Sequence, residues 1–193
     1  MGVRQTASEI PRGTVSNAAF GVALFVFTEV MLFADFISAF GIVRDNALPG
    51  AWPPPGQPRL PIARTALNTV ALLLSGAALF VAGRRFRGPR PETARGWMAA
   101  AFALGAFFVI AQGVEWLALL RHGLTLSSSE LGSFFYTIVG GHALHAVVAL
   151  VLLALVWRAM AQGRLTESRF GAVRIFWYFV VLVWPLLYWR VYL

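Results

Sequence analysis

Residues 131–157 read LGSFFYTIVGGHALHAVVALVLLALVW, a stretch with no arginine, lysine, aspartate or glutamate. A helix needs about 20 apolar residues to cross the hydrocarbon core of a bilayer. This stretch is long enough, so it reads as a membrane-spanning helix. His142 and His145 stand inside it. Working outward, the runs at 18–43, 62–83, 97–120 and 171–192 satisfy the same length criterion. The expected fold is all-α, an integral membrane bundle of five transmembrane helices. Residues 1–17 form a polar segment ahead of a single transmembrane domain at 18–193, and Ser16 or Asn17 is the candidate cap of the first span.

Composition agrees with that class. The chain is 59% hydrophobic and 12% charged, where water-soluble domains carry about 25% charged residues. Every one of its 16 basic residues is arginine, and the net charge is +8. No soluble domain is available to carry a basic face, so nucleic acid is not an expected partner. With no cysteine in the chain, disulfides, thiolate metal sites, covalent haem attachment and thiol catalysis are excluded. The opening MGVRQTASEIPRGTVSN has no apolar core, unlike a secretory signal peptide, and the first apolar run reads as a retained helix.

The arginines set the expected orientation. Five spans place the amino terminus and the connections RRFRGPRPETAR (84–95) and RAMAQGRLTESRFGAVR (158–174) on one side. That side holds eleven of the sixteen arginines, and the other holds Arg44, Arg59, Arg64, Arg121 and Arg190. The positive-inside rule then puts the amino terminus in the cytoplasm. The first connection, RDNALPGAWPPPGQPRLP, is too rich in proline for a helix, and Trp52 is expected near the headgroups. Aromatics Trp177, Tyr178, Trp184, Tyr188, Trp189 and Tyr192 crowd the last span and suggest an interfacial belt.

Polar groups at bilayer depth are costly unless paired, so they mark where the protein departs from plain spanning helix. Glu29 lies roughly 17 Å into the first span at 1.5 Å per residue. His142 is at a matching depth in the fourth, and His145 follows on the same face. Glu115 stands in the outer part of the third span, with Gln112 three residues before it. Asp35 points about 240° away from Glu29 and faces another neighbour or the outer interface. Glu29 reads as a buried interface or proton-accessible carboxyl, or equally as one simply hydrogen-bonded to its surroundings. For His142 and His145 the alternatives are metal or haem ligation and plain helix-to-helix hydrogen bonding, with Gly140 and Gly141 admitting close approach. The second is preferred, because an i, i+3 pair alone supplies too few ligands. Asn68, Thr69, Ser75 and Gly76 suit packing between helices. Nothing resembles a nucleophile site, a phosphate loop or a zinc motif.

The motifs occur in a telling order: TEVMLFADF, ALNTVALLLSG, AQGVEW, FFYTIVGGHALHAVV and FGAVRIFWYFVVLVWPLLYW, with Trp52, Pro53 and Pro54 between the first two. Over residues 18–193 this constellation resembles subunit III of the haem–copper (cytochrome c) oxidases, and five spans look like the short bacterial form. The resemblance implies an accessory chain without haem or copper, which reside in subunit I and II partners. It implies support of proton uptake, sustained turnover and complex stability in aerobic electron transport, in a bacterial inner membrane, with bound phospholipid. Glu29, Asn68, Thr69, Gln112, Glu115, His142 and His145 match the family's polar positions, with structural or lipid-facing roles. The pattern departs at Tyr178 and Val181, where the family has His and Asp, and at Asp35, where small or apolar residues are usual. The seven-span form has two leading helices that line a lipid cleft. Here another subunit would have to supply that wall.

Alternatives remain at this point. A subunit III-like protein of a nitric oxide reductase fits nearly as well, favoured by Tyr178 and Val181. From a different class, a small proton-coupled transporter or channel could use a Glu29–His142 relay, although no internal repeat is visible.

Overall fold

The computed structural model describes residues 17–193 apart from Pro49 and Arg90. Ser16 and the segment before it lie outside the described residues. Five helices cover most of the chain: α1 Asn17–Asp45, α2 Ile62–Phe86, α3 Ala94–Arg121, α4 Glu130–Ala161 and α5 Glu167–Leu187. All five are long and apolar enough to cross a membrane. The molecule is an all-α, five-helix transmembrane bundle.

Local chemistry fixes the helix ends. The Ser129 hydroxyl accepts from Gly132 N–H to open α4, and the Thr166 hydroxyl accepts from Arg169 N–H to open α5. Each replaces an intrahelical acceptor that the first turn lacks. Gly123 and Gly163 close α3 and α4 at φ of 90° and 67°. Those left-handed residues let Leu124 N–H reach Leu119 O and Arg164 N–H reach Ala159 O, both i to i−5 bonds. This is the glycine-terminated cap in which side chains are penalised. Between α1 and α2 the chain is irregular, and the Trp52–Pro53 peptide is cis. Trp52 folds back so that its ring meets Phe40 at 5.6 Å. Pro185 sits inside α5, and past it the last turn, Tyr188–Tyr192, widens to π geometry.

α5 is the hub. It packs against α1, α4 and α2, while α2 and α3 form the most extensive helix pair. Lipid tails are as apolar as leucine, so small residues and close packing hold such bundles together. A Cβ on Gly105 of α3 would stand 2.5 Å from the Trp177 ring, and one on Gly76 of α2 would stand 2.9 Å from Val181. Gly76 thus admits the Val181 side chain against α2, and Gly105 leaves room for the Trp177 ring to lie on α3. The expectation of close approach at Gly140 and Gly141 is not met: a Cβ there would sit 4.0 Å from Trp116 and Phe33, an ordinary contact.

Two further expectations change. Trp177, Trp184 and Tyr192 are buried core residues, not a belt, because they face α2, α3 and α4 across the hub. Trp189 is exposed. Arg174 is not in the fourth connection. Capping at Thr166 starts α5 early, and Arg174 stands two turns inside it. α1 lies at the periphery. Only 6% of its most apolar window is buried, against 56% for α2 and α5, and Asp35 is on an exposed position.

Candidate functional site

Two polar clusters sit at membrane depth. The first is a joint between α2 and α3. Thr65, Asn68, Thr69 and Ser75 recur at helical spacing, so they share one face, and all four are buried. Thr65 Oγ1 donates to Glu115 Oε2 at 3.0 Å. Asn68 Nδ2 donates to Gln112 Oε1 at 2.8 Å and to Glu115 Oε1 at 3.4 Å. Gln112 Nε2 donates to Tyr192 Oη at 3.4 Å, which brings in the end of α5. Both oxygens of Glu115 therefore have donors, without a direct ion pair. Thr69 Oγ1 donates to Thr65 O at 2.7 Å and accepts from Trp184 Nε1 at 2.8 Å. Ser75 Oγ reaches the Ala101 carbonyl at 2.6 Å. Beside Glu115, towards the carboxyl-terminal end of α3, a cavity of about 230 Å³ is lined by Arg59, Arg64 and His122.

The second cluster joins α1 to α4. Glu29 Oε2 lies 3.1 Å from His145 Nε2. The other ring nitrogen, Nδ1, is 2.7 Å from the Gly141 carbonyl. A carbonyl only accepts, so Nδ1 carries a proton. The second ring nitrogen, Nε2, is then the one that faces the Glu29 carboxyl. Pairing across helices is how two ionisable groups can rest at this depth. Phe33 and Phe179 stand edge-on to the imidazole, each with its centroid at 5.7 Å. A cavity of about 410 Å³ opens beside it between Val22, Phe25, Leu144, Val148 and Phe176.

The Glu29–His142 relay considered from the sequence is corrected in its partner: Glu29 meets His145, three residues further along α4. Three residues turn a helix by about 300°, which leaves the two histidines about 60° apart on α4: Phe33 of α1 touches both rings, and the Glu29 carboxyl meets His145 alone. His142 turns towards α5, its ring 5.1 Å from that of Trp184. It is buried, and neither nitrogen has a hydrogen-bond partner. It borders a cavity of about 200 Å³ with Gln112 and Trp116. Among the described residues no three His, Cys, Asp or Glu side chains gather as a metal ion would require.

Sequence reasoning missed Thr65 and Tyr192. Thr65 was findable, lying three and four residues before Asn68 and Thr69 on the same face. Tyr192 was not, because the π turn decides where its hydroxyl points.

The chain is a five-span membrane protein whose polar groups within the spans tie helix to helix. The sequence pattern described as "Cytochrome c oxidase subunit III" matches residues 12–193. Cytochrome c oxidase subunit 3 of Synechocystis sp. is 33% identical over 178 residues, covering 90% of this chain and 74% of that protein. Its counterpart in Pyricularia grisea is 34% identical over 180 residues, covering 89% and 65%. That of Equus caballus is 30% identical over 181 residues, covering 90% and 68%. The chain belongs to the cytochrome c oxidase subunit III family. That family is the non-catalytic subunit III of haem–copper terminal oxidases, and membership implies association with catalytic subunits that hold the haem and copper.

Proposed function

We propose that this chain is the short, five-span bacterial form of subunit III. It lies in the cytoplasmic (inner) membrane with its amino terminus inside, flanking subunit I near a proton-uptake entrance. There it sustains proton uptake and prolongs turnover. Residues 18–193 act as one transmembrane unit. Glu29, Asn68, Thr69, Gln112, Glu115, His142 and His145 serve structure and lipid contact, not chemistry. The observation that carries this reading is that the carboxyls at span depth, Glu29 and Glu115, are held by side chains of another helix of the same chain. Such groups stiffen a scaffold. The exposed Asp35 on α1 adds a reason for a protein neighbour, since a charged group facing lipid is unfavourable. The electron donor is cytochrome c or quinol.

A mild-detergent pull-down of this chain, with an optical redox spectrum of the eluate, tests the assignment. Haem bands, co-purifying larger subunits and oxygen consumption are expected. Nitric oxide consumption without oxygen consumption would assign the chain to a reductase complex instead, the reading that Tyr178 and Val181 favour. A colourless, monodisperse chain purifying alone would defeat both and restore the transporter reading, which proton flux in liposomes would then decide.

A further inference from the structure

Arg174 is the one charged side chain of α5 that stands well inside the helix proper, and its setting is unusual. Its guanidinium lies over Gly83 of α2, where a Cβ would come within 2.8–3.0 Å of it. It also lies over the rings of Phe170 and Tyr178, at 5.4 and 5.8 Å. Its Nε and the Tyr178 hydroxyl are both buried without a hydrogen-bond partner. Arg174, Arg84, Arg87, Gly83 and Phe80 enclose a cavity of about 390 Å³ between the ends of α2 and α5. Among the described residues the acid at this site is Glu167, bound to Arg87 at 2.8 Å, and neither Arg84 nor Arg174 has an ion-pair partner there.

We propose that this pocket is a binding site for the phosphate headgroup of an anionic membrane phospholipid. The planar guanidinium fork matches phosphate oxygens, and basic pockets between transmembrane helices at the membrane surface take such headgroups. The pocket stands at headgroup level. Arg84 is in the last turn of α2, and Arg174 is roughly 10 Å along α5 from its start. From Phe80 at its rim an apolar strip runs along α2, where Leu73 and Val70 fall on the face of Arg84 at helical spacing and are exposed, as is Leu182 of α5. A free phosphate ion would leave that strip bare, whereas an acyl chain lies along it. Gly83 keeps the floor low enough for Arg174 to swing over α2. The site is separate from the cavity beside His145, which lies between α1, α4 and α5.

The full chain, delipidated in mild detergent, is titrated with dioleoyl phosphatidylglycerol, dioleoyl phosphatidylcholine or inorganic phosphate and read by native mass spectrometry. Phosphatidylglycerol is expected to bind one per chain, on the order of tenfold more tightly than phosphatidylcholine. Arg84→Gln and Arg174→Gln each abolish that preference, while Arg158→Gln, on the same side but away from the pocket, retains it. Arg84 is exposed, so its variant tests the site even if Arg174→Gln disturbs the fold. Equal binding of the two lipids overturns the proposal, as does an unchanged preference in Arg84→Gln. Inorganic phosphate displacing the lipid at comparable concentration would make this a free-anion site. A co-purifying protein released by Arg84→Gln, with no lipid retained, would make it a subunit contact.

Discussion

Glu29 and His145 show how a single pair settles what two isolated residues leave open. The sequence placed a carboxyl and two histidines at one depth, but which histidine it meets depends on how α1 crosses α4, and no local pattern encodes that. With Nδ1 held by the Gly141 carbonyl, Nε2 faces the Glu29 carboxyl. Glu29→Ala removes the partner and leaves a nitrogen at 3.1 Å from nothing. A buried polar group so stranded costs about 1–3 kcal/mol. Thermal unfolding of the purified chain should therefore shift down in Glu29→Ala and much less in Glu29→Gln, whose amide can still donate to Nε2. Equal shifts would argue that the pair contributes shape alone. In the assembled oxidase, the same alanine variant should shorten the period of active turnover while leaving the first turnovers intact. Immediate loss of oxygen reduction in a complex that retains all subunits would contradict the structural role proposed for Glu29. Gly105 offers a second residue-scale test. Trp177, fully buried, has nowhere to move when a methyl arrives. Gly105→Ala is expected to cost about 1–3 kcal/mol by overpacking, read as a lower unfolding midpoint than the wild type.

Among the elements, α5 was the least legible. Its apolar length announced a span, and its aromatic crowding suggested a surface belt, yet three of those rings form the core. A composition cannot say which side of a helix its aromatics occupy when almost every position is apolar. α2 was the opposite case. Its small and polar residues at 65, 68, 69, 75 and 76 repeat at helical spacing, so the buried face could be drawn from sequence, and it packs against α3 and α5. The replaced family positions also gain a physical account here. Val181 fills the hollow over Gly76, and the Tyr178 ring supports Arg174. Trp184 stitches α5 to α2 through Thr69 at 2.8 Å. Interhelical hydrogen bonds in membranes contribute about 0.5–2 kcal/mol each. Trp184→Phe keeps most of the ring and loses the donor, so it should destabilise by that amount. Thr69→Val added to it gives up only the remaining bond to the Thr65 carbonyl, so the double variant should lose less than the sum of the two single variants. Additive losses in the double variant would show that the two side chains act separately.

For the whole molecule, five helices and their order were readable because each span exceeds bilayer length and each connection breaks helix formation with proline, glycine or capping residues. The lateral arrangement was not, since lipid gives no hydrophobic gradient to sort one apolar face from another. Orientation rests on charge: eleven of sixteen arginines fall on one side of the proposed topology. Arg87 and Arg121 stand at opposite ends of α3's passage, in the connection before it and at its last residue. The chain has no cysteine, so each position can carry a single reporter thiol. Arg121→Cys should react with a membrane-impermeant maleimide on intact cells. Arg87→Cys should react only after the membrane is opened. The reverse pattern would invert the molecule. It would also move the arginine pocket of α2 and α5 to the outer leaflet, where the lipid it meets and the proton-uptake side proposed for this subunit would both have to change.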